Sequence, residues 1–232
     1  MNRAYEVSTS LFASVLRAGA GMRVSAPAQR QPEKPLELYE FEACPFCRKV
    51  REGLSMMDLD AMVYPCPRAG ERFRPKVKER GGKLQFPYLI DPNTGREMFE
   101  SDDILRYLAE TYGSTVPVAL TLGPITALSS SLASVARIGR GRRAIPSRLP
   151  AQPLELWSFE ASPYCRLVRE VLSNLELPYL LHNVAKRSSK RPDFVARSGK
   201  MMVPYLVDPN TGKEMFESAD IVRYLLATYA LS

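Results

Sequence analysis

Two short stretches carry the residues best suited to chemistry. Residues 40–52 read EFEACPFCRKVRE and residues 158–170 read SFEASPYCRLVRE. In the first, Cys44 and Cys47 stand two residues apart where a strand pattern gives way to a helix pattern. A cysteine just ahead of a helix N-terminus has its thiolate stabilised by the helix dipole and by free backbone N–H groups. Arg48 and Lys49 add positive charge. A thiolate attacks disulfides, and Cys47, one turn on, is placed to resolve the mixed disulfide that results. In the second stretch Ser162 stands in place of the leading cysteine, and Cys165 matches the resolving position. That copy cannot run dithiol exchange.

Other chemistries fit less well. A zinc site asks for four ligands, and one C-x-x-C with a distant Cys66 is a poor set, so no metal is expected. An inert vestige of a redox fold remains the bland alternative. Cys66, in YPCP, is either a third redox partner or, more simply, a buried packing residue. His182 is the sole histidine and lies outside both motifs, so it reads as a surface or packing residue.

Composition bounds the rest. The 232 residues are 45% hydrophobic and 25% charged, ordinary values for a globular chain. Lys and Arg outnumber Asp and Glu, giving a net charge of +7, which favours anionic partners such as phosphates and acidic surfaces. Neither zinc-finger spacing nor an aromatic RNA-binding pattern is present, so nucleic acid is not expected. Four cysteines are too few and too uneven for a secreted disulfide scaffold. They point to a reducing compartment, the cytoplasm or an organelle stroma. Residues 111–136 are uncharged but contain Pro117, Gly123, Pro124 and a run of serines. A transmembrane segment is therefore not expected there, and a helix lying against protein or a membrane surface is.

The elements that must position these residues are written twice. PLELYEFEACPFCRKVRE at 35–52 matches PLELWSFEASPYCRLVRE at 153–170. FPYLIDPNTGREMFESDDILRYLAETY at 86–112 matches VPYLVDPNTGKEMFESADIVRYLLATY at 203–229. The similarity reaches upstream, from ASVLRAGAGMR at 13–23 to ASVARIGRGRR at 133–143. A cleaved leader has no reason to recur mid-chain, so both stretches read as structural arms. The expected organisation is an arm over 1–34, a unit over 35–113, a partly helical linker and arm over 114–152, and a second unit over 153–232.

Within a unit the periodicity alternates. LELYEF (36–41) and AMVYP (61–65) read as strands. From Pro45 to about Leu59, Val50, Leu54 and Met57 recur at helical spacing, with proline at the helix start. The charged stretch 70–80 reads as a helix. PYLID and REMFE read as strands joined by the turn DPNTG. Ser101 is the expected N-cap of a helix reaching about Tyr112, with Ile104, Leu105 and Leu108 inside, and Ser218 is its counterpart. The order βαβαββα makes each unit an α/β fold with a four-stranded mixed sheet and flanking helices.

Strand–CPFC–helix, followed by FPYLID and FES-x-DI-x-x-YL, resembles the glutaredoxins and the N-terminal domain of glutathione transferases, both of thioredoxin-like fold. Two such units in tandem, with YPCP in the first, resemble an uncharacterised family of double glutathione-transferase N-terminal domain proteins. The resemblance covers 35–113 and 153–230. It implies glutathione as cosubstrate and a cis bond before Pro87 and Pro204. The backbone of Phe86 and Val203 would then face the cysteinyl part of glutathione; the bland alternative is an edge-strand proline. It implies that Ser101 and Ser218 receive the γ-glutamyl carboxylate at a helix start, with Glu100, Asp102 or Glu217 near its amino group. Ser162 would hydrogen-bond the glutathione thiolate, or belong to a unit kept for packing. Of Arg68, Arg72, Arg74, Lys76 and Lys78, and of Lys186, Arg187, Lys190 and Arg191, one member would bind the glycine carboxylate, or all form a solvated helix face.

One departure from the family matters: no all-helical second-substrate domain follows the first unit. Three functions are compatible with the sequence. The first is glutathione-dependent thiol–disulfide exchange at Cys44. The second is conjugation or glutathione binding using Ser162, which needs an apolar pocket between the units. The third is a non-enzymatic module that binds a protein partner or an anionic surface.

Overall fold

The computed structural model describes residues 20–121 and 141–231. The arm similarity over 13–19 and 133–140, and most of the uncharged stretch 111–136, lie outside the described residues.

The first unit runs β1 (Leu36–Glu40), α1 (Pro45–Met57), β2 (Ala61–Pro65), α2 (Arg74–Gly81), β3 (Tyr88–Asp91), β4 (Arg96–Met98) and α3 (Ser101–Tyr112). A short helix, α4 (Val118–Thr121), follows. The second unit repeats the order as β5 (Leu154–Ser158), α5 (Pro163–Asn174), β6 (Tyr179–Asn183), α6 (Arg191–Ser198), β7 (Tyr205–Asp208), β8 (Lys213–Met215) and α7 (Ser218–Tyr229). Both units show the expected thioredoxin-like βαβαββα order.

The eight strands form one sheet, ordered β4-β3-β1-β2-β6-β5-β7-β8. Within each unit the first two strands are parallel, as a helical crossover requires. The two halves meet where β2 runs antiparallel to β6, with Ala61 opposite Leu181, Met62 opposite Leu180 and Val63 opposite Tyr179. What were expected as two four-stranded sheets are therefore halves of a single one.

Leu36 and Leu38 of β1 face Val50, Leu54 and Met57 of α1 and Ile104, Leu105 and Leu108 of α3 in one core. The matching core of the second unit includes Val63 of β2, so hydrophobic packing is continuous across the junction. On the opposite sheet face Tyr39, Tyr88 and Ile90 pack against Val77 of α2. The turn after β3 is locked by Asp91, which accepts the hydroxyls of Tyr107 at 2.7 Å and Tyr112 at 2.6 Å. Asp208 holds Tyr224 and Tyr229 in the same way.

The segments ahead of each unit cross to the other one. Val24 N–H donates to Lys186 O at 2.8 Å, and Lys186 N–H donates back to Met22 O at 3.0 Å. Reciprocally, Arg68 N–H donates to Arg142 O at 2.6 Å and Ala144 N–H to Arg68 O at 2.9 Å.

One helix start differs from expectation. The N-caps of α3 and α7 are Glu100 and Glu217, and Ser101 and Ser218 are the first helical residues. Both glutamates have positive φ, 67° and 65°, a region costly for a residue with a Cβ. The same strained residue at the same place in both units marks the position as one the fold maintains.

Candidate functional site

Cys44 caps α1. Its backbone is extended, Pro45 opens the helix, and its Sγ accepts the Cys47 N–H at 3.3 Å. Cys44 and Cys47 are buried, with 5% and 0% exposure. Phe46 between them is more than half exposed and forms the accessible lip. The Cys47 side chain, hydrogen-bonded to the Cys44 sulfur, holds the Cys44 thiol below its ordinary value. The N–H groups of Cys47 and Phe46 help, against burial. Burial and the bond to Cys44 push the Cys47 thiol well above its ordinary value. The two thiols are shifted in opposite directions, Cys44 toward ionisation and Cys47 away from it.

Arg48 and Lys49 are engaged elsewhere, contrary to the expectation that they charge this site. Arg48 pairs with Glu52 at 3.0 Å, and Lys49 reaches Asp102 at 2.6 Å. The thiolate is stabilised mainly by Cys47 and backbone N–H groups.

The peptide bonds before Pro87 and Pro204 are cis, as expected. The Phe86 carbonyl lies 3.9 Å from Cys44 Sγ, so Phe86 and Pro87 are brought to the thiol. Glu100 is exposed and accepts a hydrogen bond from the Gln85 side chain. Asp102 is exposed and pairs with Lys49 at 2.6 Å.

The basic cluster after β2 is not a uniform solvated face. Arg72 is a clamp between the units, donating to Leu175 O at 3.0 Å and Glu176 O at 3.3 Å. Arg74 lies with its guanidinium 4.9 Å from the centre of the Phe86 ring, which places it nearest the thiol site. Lys76 bridges to Glu37 at 3.5 Å. Lys190, in the second cluster, reaches across to Asp58 O at 3.0 Å and to the Asp60 carboxylate, and Arg191 donates to Ala185 O at 3.0 Å. Cys66 is fully buried, and burial pushes its thiol well up, which makes it a packing residue. His182 is stacked on Trp157 at 4.2 Å, between Asp60 and Glu155.

In the second unit Ser162 reproduces the cap, its Oγ accepting Cys165 N–H at 3.3 Å. The same unit carries a cleft of about 260 Å³ lined by Tyr164, Met202, Val203, Pro204, Glu217 and Ser218. Four residues singled out in the sequence thus converge on one cavity. Among the described residues no cluster of three His, Cys, Asp or Glu side chains is placed to hold a metal ion. No helix among them is long and apolar enough to cross a membrane.

Sequence reasoning missed a buried ionic seam between α1 and α5. Arg51 reaches Glu160 at 3.0 Å, Glu42 at 3.1 Å and Glu40; Arg169 reaches Glu160 at 2.9 Å and Glu42 at 3.0 Å. Burial would raise the Glu160 carboxyl, but Arg169 and Arg51 outweigh it and hold it at about 2. A signal was present. Arg48, Arg51, Glu52 and Ser55 recur at helical spacing opposite the apolar stripe, and Arg166, Arg169, Glu170 and Ser173 repeat it. A polar stripe duplicated at identical spacing is a candidate contact between two helices.

A family profile described as the N-terminal domain of glutathione S-transferase matches residues 38–116 and again 156–232. Among curated proteins, the chain is 33% identical over 78 residues to the glutathione S-transferase-like protein tpcF of Aspergillus fumigatus, covering 34% of each chain. It is 31% identical over 77 residues to gedE, a protein of the same description from Aspergillus terreus, covering 33% of this chain and 34% of that one. The chain thus spans about a third of the length of these relatives. Among solved structures, the glutathione transferase BmGSTD1 of Bombyx mori aligns over 36% of this chain and 38% of its own, at 26% identity and a TM-score of 0.32. A trimeric glutathione transferase of Leishmania, TDR1, aligns over 86% and 68%, at 14% identity and a TM-score of 0.31. The chain belongs to the glutathione S-transferase N-terminal domain family, and it carries that domain twice in tandem.

Proposed function

We propose that this protein is a glutathione-dependent thiol–disulfide oxidoreductase working through Cys44. The observation that carries this reading is the asymmetric pair: a Cys44 sulfur that accepts the Cys47 N–H at the helix start and is shifted toward ionisation, above a fully buried Cys47 shifted away from it. The Cys44 thiolate attacks the glutathione sulfur of a mixed disulfide. The Cys44–glutathione bond forms as the substrate's S–S bond breaks, and the substrate thiolate leaves and takes a proton from water. Cys47 then loses its proton and displaces glutathione thiolate, closing a Cys44–Cys47 disulfide. Alternatively a second glutathione displaces Cys44 and departs as the oxidised dimer. In this reading Phe86 and Pro87 face the glutathione backbone, and the N–H groups at Ser101 receive the γ-glutamyl carboxylate. Glu100 and Asp102, both exposed at the start of α3, are the acids available to meet the amino group.

The test is turnover of a glutathionylated peptide with glutathione and glutathione reductase. Wild type is expected to turn over and Cys44→Ser to be inactive, with Cys47→Ser retaining the route that uses a second glutathione. Wild-type turnover no higher than that of Cys44→Ser refutes the reading.

The cleft of the second unit supports a second reading, glutathione binding over Val203, Pro204, Glu217 and Ser218 with the Ser162 hydroxyl of the same unit. The α1–α5 seam between the units is filled by ion pairs, so conjugation would have to use this outward cleft. Glutathione binding by a Cys44→Ser protein, lost on Ser218→Ala with Val203→Trp, would support it. Retention of binding in that variant counts against it.

A further inference from the structure

The two copies keep the same ionic frame but differ at four positions of the motif, 40/158, 44/162, 46/164 and 49/167. Glu42 corresponds to Glu160, Arg51 to Arg169 and Ser55 to Ser173. Glu40 corresponds to Ser158, and Cys44 to Ser162. The geometry around the replaced glutamate is preserved. Arg169 Nη1 donates to Ser158 Oγ at 3.2 Å, just as Arg51 Nη1 donates to the Glu40 carboxylate. The frame therefore holds the units together with or without this acid. The glutamate occurs only in the copy that has the leading sulfur.

We propose that Glu40 is a positioning residue for the Cys44–Cys47 pair, and that the second unit holds it in that role through the chain Glu40–Arg51–Glu160. This rests on Cys44 being the reactive thiol of the exchange proposed above. Each link is a buried contact. Glu40 is 1% exposed, Arg51 1% and Glu160 2%. Arg51 binds Glu40 with one nitrogen while its Nε meets Glu160 Oε2 at 3.0 Å. Arg51 lies one helical turn beyond Cys47, and Glu40 ends the strand that leads into Cys44. Charge placed here is poorly screened and acts on the sulfurs.

Burial raises the Glu40 carboxyl to about 7, which Arg51 and Arg169 oppose while Glu42 and Glu160 add to it. Its charge in turn acts on Cys44, Cys47, Cys66 and Tyr179, in each case against ionisation. An ionised Glu40 works against the thiolate. Arg51 offsets it, and Glu160, by engaging Arg51, sets how far.

The test is the pH profile of iodoacetamide alkylation at Cys44, read site by site by mass spectrometry on the full chain. It needs no glutathione, so a protein inactive in the exchange assay still reports on this chain of contacts. Glu160→Gln makes the buried frame one charge more positive and is expected to raise Cys44 alkylation at acidic pH by about three- to tenfold, the range for one buried charge at protein-like dielectric. Glu40 carries its charge only above about 7, so Glu40→Gln is expected to raise Cys44 alkylation above that pH and to leave it unchanged in acid. Glu160→Asp keeps the charge and is expected to restore the wild-type profile. A merely structural Glu160 would change stability and leave the profile in place. A Glu160→Gln profile superimposed on wild type overturns the proposal, as does a Glu160→Asp profile that moves with Glu160→Gln. Should the glutamine variants not fold, Ser162→Cys alone and with Ser158→Glu carry the test. The thiol at position 162 is expected to react more slowly at neutral to alkaline pH, where the introduced carboxyl is ionised, when Ser158→Glu is present, and equal profiles overturn the proposal.

Discussion

Arg51→Met removes the guanidinium that touches three carboxylates while keeping most of the aliphatic volume. Arg169 still serves Glu42 and Glu160 at 3.0 and 2.9 Å, so the residue left most exposed to the loss is Glu40. Breaking a buried pair by deleting one partner costs about 3–5 kcal/mol, because the remaining charge has no solvent. An exposed pair would be worth about 1 kcal/mol or less. The pH dependence separates these cases. Glu40 has a carboxyl raised by burial to about 7 in the folded protein, above its unfolded value. The folded state therefore holds the proton more tightly, and stability falls as pH rises from the ordinary carboxylate range to about 7. Without Arg51 the carboxyl rises further, so the fall continues to higher pH. The gap between variant and wild type should be smaller at pH 6 than at pH 8. Urea unfolding at both pH values, followed by tryptophan fluorescence, measures it; the single tryptophan, Trp157, lies in the second unit. Adding Glu40→Gln to Arg51→Met should recover much of the loss at pH 8. A loss below about 1 kcal/mol, or one equal at both pH values, would refute the buried-seam reasoning.

Three further outcomes follow from the same physics. Cys47→Ala removes the largest influence lowering the Cys44 thiol, so Cys44 alkylation should shift to higher pH; an unmoved profile would assign the effect to the helix start alone. Tyr112→Phe deletes a 2.6 Å bond to Asp91 and should cost about 1.5–3 kcal/mol, the range for a bond to a charged group. Burial would raise Asp91, but the hydroxyls of Tyr107 and Tyr112 and the Asn93 groups hold it below the ordinary value. That stability is present above the ordinary carboxylate value and is lost as pH falls through the depressed one, so the Tyr112→Phe deficit should shrink in acid unfolding. Arg72→Ala breaks the clamp onto Leu175 O and Glu176 O. It should lower stability by about 1–3 kcal/mol through unpaired carbonyls without moving the Cys44 profile, and a moved profile would show that Arg72 belongs to the thiol site.

The element order was legible because it was written twice, and local patterns suffice for strands and helices of this length. The union of the two sheets was not. AMVYP and YLLHN alternate like any half-buried strand, and nothing local says which edges will pair. The caps of α3 and α7 were misassigned for a related reason. Serine is a favoured N-cap, but the backbone enters each helix with a glutamate at positive φ, so the serine becomes the first helical residue. Arg48 and Lys49 of α1 were assigned to Cys44 because they stand one turn from it, and Arg51 was given no partner. Here Arg51 and Arg169 meet Glu42 and Glu160, which lie just ahead of α1 and α5, and ion pairs replace water.

The missing sulfur of the second copy then has a structural consequence rather than only a functional one. A thioredoxin-like unit alone would expose the β2 edge and a helix face whose Arg51 keeps Glu40 and Glu42 but lacks its third carboxylate. The second copy covers both, supplying β6 to the edge and Glu160 to Arg51. Neither task uses a cysteine. Ser162 still caps α5 through the Cys165 N–H, so the helix that carries Arg169 keeps its place. The leading position is free to change in the copy whose task is to complete the sheet and the ionic frame. The copy whose site the frame surrounds retains its cysteine and its buried glutamate.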